Sequence, residues 1–256
     1  MLINYKFTTE LGQKIVDGIL KGYSQYSEER IRKSEELHIS GGFAWTKGNY
    51  IDHHAAEEMK ELGFQHLKSK AGPTWGYLQF VHDGDAKLII IRNQKYFNED
   101  DFAKGRTPLK GKSQEKPASY LKQLSKINTN IDFEKIKEDN QMNETEQILL
   151  DLGVESLNSS ALIEEGIVSR FKEFYIVTYL IDDNFQISEI NHFMPNPHNG
   201  QAVKIDDLSG YILTSGVDVD KINYSALKQL SHYDQSTPEE LLEVFDIALP
   251  GKEKEE

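Results

Sequence analysis

The chain reads as an α+β protein, with two small, mostly antiparallel sheets covered by helices and helical segments at both ends. Three observations predict this. Apolar residues recur at helical spacing over 8–36, then switch to strand-like runs between 64 and 93. A second pair of apolar runs flanks an Asp-rich turn over 172–195. Runs of strands bracketed by helices, rather than strict alternation, point to α+β. A soft boundary near residue 155 divides the chain into 1–154, an N-terminal unit with a basic hairpin and loop, and 155–256, an acidic unit; one domain remains the alternative.

Leu11, Ile15, Ile19 and Tyr23, with Val16 and Leu20 beside them, form one apolar stripe, and Thr8 or Thr9 supplies the N-cap. Gly41-Gly42 breaks the chain. Ile51, Ala55, Met59 and Leu62 mark a second helix over 50–62, stopped by Gly63. Three strands follow within 63–93, the last two joined at Asp83-Gly84, a pair expected to supply the positive φ of a tight hairpin. Residues 98–117 read as a long surface loop rich in Gly, Pro and Lys. Helical patterns return at Tyr120, Leu121, Leu124 and Ile127, over 131–142, and after a capping box at Asn143 and Glu146. The second strand pair turns at Asp182-Asp183-Asn184. Short strands are expected at 201–206 and 210–214, and Thr237-Pro238 opens a final helix.

Composition excludes several classes. The 256 residues include no cysteine, which removes disulfides, thiolate nucleophiles and Cys-ligated zinc or iron–sulfur sites and fits a cytoplasmic location. No apolar run approaches the ~20 residues of a membrane span, and the N-terminus lacks a signal-like apolar core. Charge is uneven: residues 64–126 carry 12 Lys and Arg against 6 Asp and Glu, whereas 127–256 carry 9 against 26. An acidic chain with one basic segment is not a general nucleic-acid binder, but a local basic face can still meet phosphate.

No motif carries a specific chemistry. Asp85-x-Lys87, preceded by Asp83, has the letters of a metal-dependent nuclease, in which acids hold a divalent metal and lysine orients water. Both acids fall in a tight turn, where Asp is ordinary turn chemistry. Asp52-His53-His54 matches a phosphoesterase signature in letters only, and Asp52 reads as an acid at a helix start. His192 and His198 flank a Pro-rich turn and read as surface residues. Walker, nucleophile-elbow and dinucleotide fingerprints are missing. No cofactor is expected, with a divalent metal needed only for the nuclease alternative.

The basic segment is the leading contact surface. Lys68, Lys70, Arg92, Lys95, Lys104, Arg106, Lys110 and Lys112 interleave with Trp75 and Tyr96, a combination of cations and stacking rings suited to nucleic acid. The plainer reading makes the rings core and the lysines solubility. The carboxylates of 127–256, among them Asp132, Glu134, Glu138 and Asp139, invite a second reading as an acidic surface imitating DNA.

The segments WGYLQFVHDGDAKLIIIRNQKYF, YLKQLSKIN and FYIVTYLIDDNFQISEINHFMPNP resemble uncharacterised proteins of low-G/C Gram-positive bacteria and their phages. The likeness covers roughly 43–208. It implies a phage or mobile-element context and no functional residue. The expectation is therefore a non-enzymatic binding or regulatory protein, such as an inhibitor in host–phage defence. A protein partner is expected first and a nucleic acid or nucleoprotein second, through residues 64–126. The runner-up is the nuclease using Asp83, Asp85 and Lys87.

Overall fold

The computed structural model describes residues 5–71, 75–103, 120–136 and 165–234. Helix α1 (Thr9–Glu36) starts where Thr8 accepts the Leu11 N–H at 3.2 Å. Its stripe, Ile15, Val16, Ile19, Leu20 and Tyr23, is buried as expected. Helix α2 (Lys47–Lys60) packs against it through Ile51, Ala55 and Met59. The two backbones meet at glycines. A Cβ on Gly18 would lie 2.5 Å from Ala55 Cα, and one on Gly22 2.5 Å from Ile51 Cα. Any larger residue at either position forces the helices apart.

The strands β1 (Gln65–Ala71), β2 (Trp75–His82), β3 (Lys87–Asn93), β4 (Glu173–Ile181), β5 (Ile187–Pro195) and β6 (Ala202–Asp207) make a single six-stranded sheet in sequence order. This corrects the expectation of two small sheets. β3 and β4 pair in parallel over seven residues, from Lys87 opposite Glu173 to Asn93 opposite Tyr179, and fuse the two halves. The other four pairings are antiparallel. The boundary near 155 lies outside the described residues, but strands from both sides of it share this sheet.

Both faces of the sheet are covered. Phe80, Ile89, Tyr175, Val177 and Ile190 meet α1, α2 and the helix α5 (Tyr224–Asp234). Leu88, Ile90, Phe174, Ile176 and Phe193 meet α3 (Tyr120–Ser125), the turn that follows it, and Phe97 and Phe102. A short helix, α4 (Glu165–Arg170), leads into β4. Strands apolar on both faces read as unbroken hydrophobic runs, as LIII in β3 and FYIV in β4 do.

The β2–β3 turn differs from the expected two-residue Asp-Gly geometry. Residues 83–86 form a four-residue loop in which the Ala86 N–H reaches Asp83 O at 3.2 Å and Ala86, not Gly84, takes positive φ, at 52°. The β4–β5 turn has five residues, 182–186, with the same bond from the Phe185 N–H to Asp182 O and Phe185 at φ 65°. Four-residue hairpin loops are commonly built this way around a type I turn. The stretch expected as a strand at 210–214 begins instead inside a 3-10 turn, Ser209–Ile212. The C-terminal helix expected from 237 lies outside the described residues. α5 was not anticipated, although Asn223 caps it by accepting the Ala226 N–H at 3.0 Å.

One buried side chain ties the layer of α3 to the sheet. Asn128, in the turn Lys126–Asn130, donates to Phe174 O and to Pro195 O, both at 2.9 Å, and accepts the Phe174 N–H at 2.7 Å. Asn128→Ala leaves three buried backbone groups unsatisfied, so equilibrium denaturation should show a loss of ~3 kcal/mol or more. A loss below ~1 kcal/mol would mean that water replaces the clamp.

Candidate functional site

The hairpin tip does not assemble a metal site. Arg170 grips Asp83 with two bonds, Nε to Oδ1 at 2.8 Å and Nη2 to Oδ2 at 2.6 Å, and holds its carboxyl below the usual range. Asp85 lies 3.5 Å from Lys87 Nζ and 3.3 Å from His82 Nδ1. Both acids are about half exposed on a turn rather than converging from neighbouring strands. Among the described residues no three His, Asp or Glu side chains gather where an ion could sit.

The basic residues divide between surfaces. Side chains alternate along a strand. Lys68 is opposite Leu78, which packs on the α1–α2 side, so Lys68 and Lys70 lie on that face and are exposed. Arg92 follows Leu88 and Ile90 onto the other face, where its Nη1 donates to the Tyr120 hydroxyl and its guanidinium lies 5.5 Å over the ring. Lys95 and Tyr96 stand together on the turn after β3, Nζ 5.8 Å from the ring centroid. Trp75 opens β2, its ring outside the described residues, as are Lys104, Arg106, Lys110 and Lys112. The described cations therefore form no single groove.

Where β2 and β3 part, residues gather in a combination that no motif predicted. The two strands pair over only three positions, from His82 opposite Lys87 to Phe80 opposite Ile89, and separate beyond them. Asp52 fills part of the gap from α2, accepting the Leu78 N–H at 2.9 Å. It is not the expected helix-start acid, because α2 begins five residues earlier. Burial pushes its carboxyl up to about 7, against the lowering effect of the Leu78 N–H. On the opposite face Tyr77 packs on Tyr120 at 4.8 Å, and its hydroxyl accepts from Gln79 Nε2 at 3.1 Å. Arg92 and Asp52 both lie close enough to act on the Tyr77 phenol, whose pKa burial raises.

A polar row continues across the sheet from Arg92. Thr178 is its register partner on β4, and Asn191 is the partner of Thr178 on β5. Gln94 Oε1 accepts from both, at 3.2 and 3.1 Å. Gln79 Oε1 and Asn191 Oδ1 have no bonding partner among the described residues although both residues are buried. Polar residues on a sheet face that is otherwise apolar were the only sequence signal, and they are dispersed over more than a hundred positions.

His192 is not at the surface. It is fully buried, its ring stacked on Phe7 at 3.6 Å and 15°, with neither nitrogen bonded among the described residues. Desolvation, with Lys87 and Lys6 adding to it, holds it neutral, its pKa well below the usual histidine value. No protein-family model, curated protein or solved structure matches the chain.

Two titrations check these environments. Asp52 binds its proton more tightly folded than unfolded, so its contribution to stability is present at low pH and is lost as pH rises through about 7. Asp52→Asn keeps an acceptor for Leu78 and removes the titration. Denaturation at pH 5 and pH 8 should show the variant gaining on the parent at the higher pH; equal differences at both would refute the raised pKa. His192 has the opposite sign. Its contribution is present above the unfolded value of ~6.5 and falls by up to ~1.4 kcal/mol per pH unit below it. His192→Phe should flatten the parent's stability loss between pH 6.5 and 5, and an unchanged slope would place the proton elsewhere.

Proposed function

We propose that the chain is a non-enzymatic binding or regulatory protein, of phage or mobile-element type, that acts by capturing a protein partner. The observation that carries this reading is the segment after α1. Leu37, Ile39 and Trp45 lie within nine residues and are 43%, 89% and 38% exposed. Scattered exposed apolar residues are normal, but a tryptophan beside two aliphatics in one short segment is the composition of a contact anchor. The chemistry of the hairpin tip supports the same side of the choice, since Asp83 is engaged by Arg170 and Asp85 pairs with Lys87. The setting proposed is host–phage conflict, in which such a protein inhibits by occupying a surface.

A specific observation favours a second reading, contact with a nucleic acid or nucleoprotein. Lys95 and Tyr96 are exposed side by side, a short way before Lys104, Arg106, Lys110 and Lys112 in the chain. Affinity capture from a host lysate, with and without nuclease, separates the two. The protein reading expects a captured polypeptide that survives nuclease and is lost in the double variant Ile39→Asp, Trp45→Ala. Capture that needs nucleic acid, falls steeply with salt and disappears when the four loop cations become alanine would replace it with the second reading.

A further inference from the structure

β1 is an edge strand. Among the described residues its only neighbour is β2, with which it pairs through all seven residues without a bulge. The opposite edge is different: the pairing of β6 with β5 shifts register between His192 and Phe193. Bulges protect an edge from further pairing, and β1 has none.

The outward-facing backbone groups of β1 follow from one hydrogen bond. The Leu78 N–H donates to Asp52 and so points away from β1. Residues directly opposite each other in an antiparallel ladder exchange both bonds or neither. Leu78 is opposite Lys68, so Lys68 turns its N–H and C=O outward, and by alternation His66 and Lys70 do the same. All three are exposed. Their side chains share one face of the sheet, so this edge carries a row of two lysines and a histidine beside its outward-pointing backbone groups.

We propose that the β1 edge captures an extended acidic segment of a partner protein, which adds to the sheet as a further strand. Charge selects the occupant. A neutral or apolar strand would cover the lysines and leave them unpaired, and a second copy of β1 would set lysine against lysine. A strand with Asp or Glu at alternate positions turns the same lysines into cross-strand pairs, while main-chain bonds supply the affinity. This inference rests on the protein-binding reading and names the chemistry of the segment bound.

The test uses the full chain and a short synthetic peptide of alternating glutamate and threonine, with a lysine–threonine peptide as control. The expected result is saturable binding of the acidic peptide alone, with slowed amide exchange at His66, Lys68 and Lys70. Lys68→Pro removes only an outward N–H, so the ladder to β2 and the melting temperature should be kept while affinity falls by ~10-fold or more. Lys68→Glu with Lys70→Glu should reverse the preference between the two peptides. Several results overturn the inference: no binding of either peptide, equal binding of both, or binding without protection of those three amides. A concentration-dependent dimer abolished by Lys68→Pro would assign the edge to self-pairing instead. If capture through Ile39 and Trp45 holds while the peptide fails, this inference falls alone. If both fail, the protein-binding reading falls with it.

Discussion

The parallel pairing of β3 with β4 is the constraint on which the molecule depends. Seven residues of each strand are in register, and most are buried on both faces. Parallel neighbours need a long crossover, and here it spans residues 94–172. The described part of it lies against one face of the sheet. The turn at Phe97–Phe102, α3 and the Asn128 clamp cover it. The other face is closed by the α1–α2 pair, whose contact is fixed by Gly18 and Gly22.

The same pairing generates the polar features. β3 is held by β4 along its whole length but by β2 at only three positions, so the sheet opens on the β2 side. The backbone exposed there is satisfied by a side chain, Asp52, and pays through that carboxyl's raised affinity for a proton. Arg92, Thr178 and Asn191 line up because the register of β3, β4 and β5 places them in one row. His192 shows the opposite solution: a titratable ring stacked on Phe7 and kept neutral by desolvation, with the charges of Lys87 and Lys6 adding to it.

Local features of the fold were legible in the sequence, and the long-range ones were not. The stripe of α1, the Thr8 cap and the three strands of 65–93 follow from spacing and turn chemistry alone. The continuous apolar runs LIII and FYIV also carried the signal of central, doubly covered strands, but strand partners 86 residues apart leave no mark in a local window. Both turns were placed correctly, but the one at Asp83-Gly84 was typed wrongly, because the positive φ falls on Ala86, a residue type that does not advertise it. For the candidate surfaces, counting Lys and Arg along 64–126 could not reveal that alternation sends Lys68 and Arg92 to opposite faces. Asp52 was visible as a letter, but its partner, a strand N–H 26 residues later, was not.

Native-state hydrogen exchange tests the single-sheet account most directly. Amides of Leu88–Ile91 in β3 and Phe174–Val177 in β4 should exchange only through global unfolding, with one common free energy and one denaturant dependence. Two separate plateaus, with β1–β3 opening independently of β4–β6, would contradict the claim that one parallel seam binds both halves of the chain.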